Sequence, residues 1–149
     1  MAGSLRRFNV LHDPLTDENG HPGYRWHGVR GIGNRLGAEL IGASVYELAD
    51  GERTWPYHMH HGVEEWVLVL AGTPTVRLPE GERTLAAGDT LCLPEGPDGA
   101  HGISGPGRIL ILSANRPDTM LEYPDSGKVG AGRDLYFRRR DAVDYWDGE

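Results

Sequence analysis

Three of the chain's seven histidines fall within His58-Met59-His60-His61. Side chains alternate across an extended strand, so on a strand His58 and His60 share one face while Met59 and His61 take the other. An i, i+2 pair of imidazoles is two-thirds of a metal-binding face. Gly62 allows a turn, and Glu64-Glu65 then opens the next apolar run. His101 comes after a second Gly- and Pro-rich stretch and is the only histidine beyond His61. Two or three imidazoles with one carboxylate suit Zn²⁺, Mn²⁺, Fe²⁺, Ni²⁺ or Co²⁺, and spacing alone does not choose among them. The competing reading of the same residues is a polar cluster lining an empty cavity.

Holding such a set rigidly requires strands and tight turns, and the composition supplies both. The chain has 149 residues, one domain's worth, with 38% hydrophobic and 25% charged residues. Its 22 Gly and 10 Pro point to many turns, the habit of all-β domains with short strands. Strands are expected over 36–48, 65–70, 74–78, 83–85, 90–93 and 108–113, with a hairpin turn at 79–82. No long helical periodicity is present, and the acidic tail over 141–149 is expected to make one or two helical turns at most. Gly31-Ile32-Gly33 followed by Gly37 has the wrong spacing for a dinucleotide loop and reads as a plain loop. Arg138-Arg139-Arg140, answered at once by Asp141 and Asp144, reads as a solvated face.

The net charge of −7 argues against nucleic acid or an anionic membrane as the main partner. The longest apolar run, 66–71, is far below a membrane span, and no targeting signal is evident, so a cytoplasmic location is expected. A single cysteine, Cys92, excludes an internal disulfide and fits a reducing compartment. Within Thr90-Leu91-Cys92-Leu93 it reads as a small buried hydrophobe rather than a reactive thiol.

Two spaced patterns carry a family resemblance: Gly51-x6-His58-x-His60-x4-Glu65-x6-Gly72, then Gly88-x5-Pro94-x-Gly96-x4-His101. They resemble the paired motifs of the cupin superfamily. The spacing is one residue long before His58 and two long before His101, and Gly105 stands where the family has Asn. Registration from Gly72 favours Glu65 over Glu64. The run from Pro56 to Trp66, with 94–101 and Tyr123-Pro124-Asp125-Ser126-Gly127-Lys128, is similar to a subgroup of small bacterial single-domain cupins, some with sugar-phosphate-isomerase-like labels. The resemblance implies an all-β, antiparallel jelly-roll β-barrel over residues 1–149, with its motifs within 51–105 and a short irregular or helical tail. It implies a divalent metal inside, held by His58, His60, Glu65 and His101, and a homodimer.

A barrel interior of this kind admits one small molecule and excludes bulk water. Tyr46, Trp55, Tyr57 and Trp66 are candidates to shape the lumen, and Arg77, Arg83 or Arg108 could hold an anionic substrate if they faced inward; solvated surface Arg is the default. The leading functional reading is a metalloenzyme acting on a small oxygenated metabolite by isomerisation, lyase chemistry, decarboxylation or oxygenation. The alternatives are a non-catalytic binding or sensing barrel and a metal-free barrel for assembly or storage. The 94–100 loop is expected to deliver His101 from a more mobile support than the strand that bears His58 and His60.

Overall fold

The structure, a computed structural model, describes residues 6–117, 119–132 and 134–149. The chain opens with a hairpin of β1 (Asp17–His21) and β2 (Tyr24–Val29). A short helix, α1 (Ile32–Leu36), leads into β3 (Ile41–Leu48). Then come β4 (Met59–His61), β5 (Glu65–Gly72), β6 (Thr75–Leu78), β7 (Gly81–Thr84) and β8 (Thr90–Leu93). The last strands are β9 (Gly102–Ser104), β10 (Gly107–Ala114), β11 (Met120–Tyr123), β12 (Lys128–Ala131) and β13 (Leu135–Arg138).

Every strand pairing is antiparallel, in the orders β1-β2-β3-β10-β5-β8, β13-β12-β11-β4 and β7-β6-β9. Antiparallel bridges Arg53↔Ser104 and His58↔His101 tie the segment before β4 to the flank of β9. The two smaller sheets thereby form one layer, which faces the six-stranded sheet. This is the jelly-roll arrangement of an all-β barrel. No helix among the described residues is long and apolar enough to cross a membrane.

The core sits between the layers. Val67, Val69, Ile109, Tyr46 and Trp26 from the larger sheet meet Val76 and Ile103 from the smaller layer, all nearly inaccessible. The alternation of Val67 and Val69 is the period-2 signature of one inward face. Strand β3 departs from that rule because Val45 and Tyr46 are both buried. Its outer side is covered by α1 and the N-terminal segment, where Val29, Ile32 and Val45 pack with Phe8, Val10 and Leu36. Apolar runs without alternation therefore mark strands covered on both sides.

Several sequence expectations need correction. The segment 31–37 is not a plain loop: α1 occupies it, with Gly31 and Gly37 as left-handed caps at its two ends. A strand does precede it, but β2 and β3 pair antiparallel, which excludes a dinucleotide-binding βαβ unit. The strand expected from 36 begins at Ile41, since Leu36 closes the helix. Cys92 is exposed, not buried, because the inward positions of β8 belong to Leu91 and Leu93. Its register partner Trp66 likewise lies on the outer face, 46% exposed, and so does not shape the lumen. The tail forms a 3-10 turn at Arg139–Asp141, after the last strand, and continues as turns.

Candidate metal centre

The site lies where the chain crosses from one layer to the other. β4 belongs to the smaller layer and β5 to the six-stranded sheet, and the connection between them is only three residues long. Gly62 begins that connection with φ 80°, a left-handed conformation that suits glycine. The crossing places Glu65, the first residue of β5, against His60 near the end of β4.

His58 Nε2 and His60 Nε2 lie 3.1 Å apart. Glu65 Oε2 is 3.1 Å from His60 Nε2 and 3.4 Å from His101 Nε2. Donor atoms of His58, His60 and Glu65 all fall within 4.8 Å of one another, a grouping that fits a metal site. His101 touches this group through Glu65. Glu64 turns away and accepts from the Trp66 indole at 2.9 Å, and His61 points to the opposite face, 3.0 Å from Glu122. Strand parity thus separates His58 and His60 from His61, and Glu65 from Glu64.

His101 is carried by a strand-like bridge, not by a mobile loop. His58 and His101 exchange backbone hydrogen bonds, N–H to carbonyl, of 3.0 and 2.8 Å. The preceding loop is pinned as well: Gly96 N–H donates to the His60 carbonyl at 2.7 Å, and Gly62 N–H donates to Glu95 at 2.7 Å. The two extra residues before His101 are absorbed in a 3-10 turn, Pro97–Gly99, so the longer spacing does not displace the side chain. His101 is 3% exposed.

The protonation chemistry of the set follows from its neighbours. His58 Nδ1–H donates to the Pro56 carbonyl at 2.8 Å, and His101 Nδ1–H donates to the Gly99 carbonyl at 2.9 Å. A carbonyl can only accept, so each ring proton sits on Nδ1 and each Nε2 presents a lone pair. Burial, reinforced by the nearby His101 and His60, pushes His58 down to about 3. Burial also lowers His101. For Glu65, burial works upward, but the His60 hydrogen bond and surrounding imidazoles outweigh it and hold the carboxyl below its usual range. Neutral imidazole lone pairs and a carboxylate therefore converge with few protons between them. Such a donor set fits a divalent cation and satisfies the carbonyl-oriented tautomers that metal-bound histidines need.

Of the arginines, Arg77 lies on the outer face, ion-paired with Asp125 at 2.6 Å and stacked 3.9 Å over Tyr57. That clamp lines a pocket of about 180 Å³ which also takes in Tyr24, Arg53 and Trp55 but none of the four site residues. Arg108 pairs with Glu47, and Arg83 is on the exposed strand β7. None of the three faces the histidines. Tyr46 and Trp55 pack edge-on with Trp26 in and against the core.

Sequence reasoning missed one neighbour of the site. Tyr123 has its ring centroid 5.9 Å from that of His58. Burial and Tyr136 push its hydroxyl up to about 12. Only the pairing of β11 with β4, some sixty residues away in sequence, puts it there.

Residues 44–113 match the cupin domain family. No curated protein matches the sequence. Among solved structures, the chain is similar to a candidate sugar phosphate isomerase of Acidithiobacillus ferrooxidans, with 24% identity and a TM-score of 0.74 over 83% of this chain and 82% of that one. It is also similar to a cupin-superfamily sugar phosphate isomerase from Silicibacter pomeroyi, with 20% identity and a TM-score of 0.71 over 82% of each chain. A third likeness is to the polyketide cyclase RemF of Streptomyces resistomycificus, with 22% identity and a TM-score of 0.56 over 76% of this chain and 82% of that one. Identities at this level establish the fold, and one fold hosts different chemistries.

Proposed function

From the match of residues 44–113 to a cupin domain we propose that the chain holds a divalent transition metal at His58, His60, Glu65 and His101 and acts there on a small oxygenated metabolite. The carrying observation is the convergence of His58, His60 and Glu65 donor atoms within 4.8 Å, with the proton-free Nε2 of His58 turned inward. A bound ion of this class would polarise a coordinated oxygen or acidify a bound water.

The protein's own residues define what else is available. His58 and His101 are fixed in orientation by their carbonyl partners, which supports a site preformed for an ion. Exposure is graded across the cluster: the His101 side chain is 4% exposed, Glu65 12% and His60 19%. Substrate therefore approaches from the His60–Glu65 edge. Tyr123 keeps its proton at neutral pH and serves as a hydrogen-bond donor, not as a base. Isomerisation, lyase and decarboxylation chemistry use this oxygen-directed mode, oxygenation would in addition need Fe²⁺ and O₂, and a purely ligand-binding barrel shares the first step.

Elemental analysis of protein made without a His tag tests the reading. About one divalent ion per chain is expected; a metal-free sample that takes up none on soaking with each of the five ions overturns it.

A homodimer belongs to the same proposal. Trp66 and Leu112 stand directly opposite each other on the outer face of the six-stranded sheet, 46% and 36% exposed, beside the exposed Cys92. A second copy covering this face would bury an apolar pair and a free thiol suited to a reducing cytoplasm. Light scattering of wild type and Trp66→Glu checks it, with the variant expected to halve the mass.

A further inference from the structure

The layer that bears His58 and His60 continues through β11, β12 and β13. Leu121 pairs with His60, so Tyr123, two residues on, shares the inward face. Pairing carries that face further: Tyr123 stands opposite Lys128, Lys128 opposite Arg138, and Gly130 opposite Tyr136. The result is a wall beside the metal centre with a cation at its middle. Lys128 Nζ lies 4.2 Å from the Tyr123 ring centroid and 5.1 Å from that of Tyr136.

The arrangement is built, not incidental. A glycine inside a strand weakens it, yet Gly130 occupies the middle of β12. A Cβ at that position would come 2.8 Å from Tyr136 Cε1, so the missing side chain is what lets the Tyr136 ring lie across the strand. Lys128 and Arg138 also face each other in register, a like-charge placement that destabilises a strand pair. Among the described residues neither forms an ion pair, whereas Arg77, Arg108 and Arg139 each have a carboxylate. Arg138 is engaged by the Ser126 carbonyl, to which it donates at 2.7 Å, whereas Lys128, between two aromatic rings, has no carboxylate partner among the described residues.

We propose that Lys128, cradled by Tyr123 and Tyr136, binds an anionic group of the substrate, a carboxylate or a phosphate monoester, whose other oxygens reach the His58–His60–Glu65 cluster. The anion subsite stands on the wall alone, and the link to the cluster rests on the metal reading above. The aromatic rings fix the ammonium and shield it from water, which strengthens its hold on a charged oxygen.

The test titrates inorganic phosphate and acetate separately into metal-free protein at constant ionic strength, followed calorimetrically. Saturable binding of at least one is expected, weakened about tenfold in Lys128→Met and retained in Lys128→Arg. Phosphate binding tighter than acetate identifies a phosphate ester, and the reverse a carboxylate. Gly130→Ala, which displaces Tyr136 and leaves the lysine in place, is expected to weaken the same titration. Equal affinity in wild type and Lys128→Met, or no saturable binding by wild type, overturns the proposal. Metal uptake by separate samples of the same proteins, soaked with each ion, separates the two claims. Lysine-dependent anion binding by a protein that takes up no metal refutes only the metal reading. A Lys128→Met protein that takes up no metal where wild type does places the lysine in the metal site and refutes a separate anion subsite.

Discussion

Strand β4 displays two histidine–carboxylate clusters, one on each face, and they obey opposite accounting. On the inner face His58, His60 and His101 surround Glu65. On the outer face His61 Nε2 lies 3.0 Å from Glu122 Oε1, while Arg139 Nη1 lies 2.8 Å from Glu122 Oε2. The outer set is complete: each carboxylate oxygen has its own donor, and one of the donors is a permanent cation. The inner set has no arginine or lysine and an excess of lone pairs. The lesson is that proximity of His and Glu does not identify a metal centre. An excess of lone pairs over donors is what fits one.

The largest effect should come from crossing that boundary. His60→Ala removes a lone pair from the inner set and is expected to lower metal affinity by more than about 100-fold, beyond the range seen for outer partners of a ligand. His61→Ala, one residue along, should leave affinity within about threefold. Competition with a chromogenic chelator measures both, and equal losses would mean that the two faces have been assigned the wrong way round.

His101→Ala comes next, and it probes stability as well as binding. A metal that binds only the folded state stabilises it by about 2.7 kcal/mol at a free concentration about 100 times Kd. Losing that increment corresponds to roughly 5–10 °C in Tm for a domain of this size. Because His101 is buried and bridged to His58, the variant should also lose about 1–3 kcal/mol with the metal stripped away. Melting curves with and without metal separate the two losses. An unchanged metal-free Tm would show that the bridge holds without its side chain.

Acid should act on the inner face of the metal-free protein. Unfolded, His58 takes a proton near its ordinary value of 6.5; folded, it resists until about 3. Between those values the unfolded chain binds more protons, so stability falls as pH drops through the window. The slope is about 1.4 kcal/mol per pH unit for each such proton. His101 shifts in the same direction, and Glu65, held below 4.5, adds its own loss at lower pH. Urea denaturation from pH 7 to 4 should show this slope, and His58→Gln should flatten it.

What was legible in the sequence divides along the same line. The inner set could be read because its key members are local: His58 and His60 are an i, i+2 pair, and Glu65 is fixed by one turn at Gly62. Apolar β5 and β10 announced themselves through Val67, Val69 and Ile109. The outer set was hidden, since Glu122 and Arg139 reach His61 only through β11, whose pairing with β4 spans some sixty residues. Strands β1 (Asp-Glu-Asn-Gly-His) and β12 (Lys-Val-Gly-Ala) lack an alternating apolar pattern, so nothing local marks them as extended. Cys92 and Trp66 were misplaced for a related reason. Both sit in apolar surroundings on an outer face, and composition does not distinguish an exposed apolar face from a core.

The smallest expected effect lies on the outer face and tests whether the two clusters are independent. Arg139 is 72% exposed on its side chain, so its pair with Glu122 is screened by water and contributes little. Arg139→Ala should cost less than about 1 kcal/mol, read as a small fall in the urea midpoint with an unchanged m-value. Glu122 retains His61 as a partner, which limits the penalty of leaving a carboxylate without its cation. Metal affinity should not change, because the proposed ligands project from the opposite side of β4. A drop in affinity would show that the outer pair sets the twist or position of that short strand. The inner geometry would then depend on a contact whose own strength is modest, and the two faces would have to be treated as one unit.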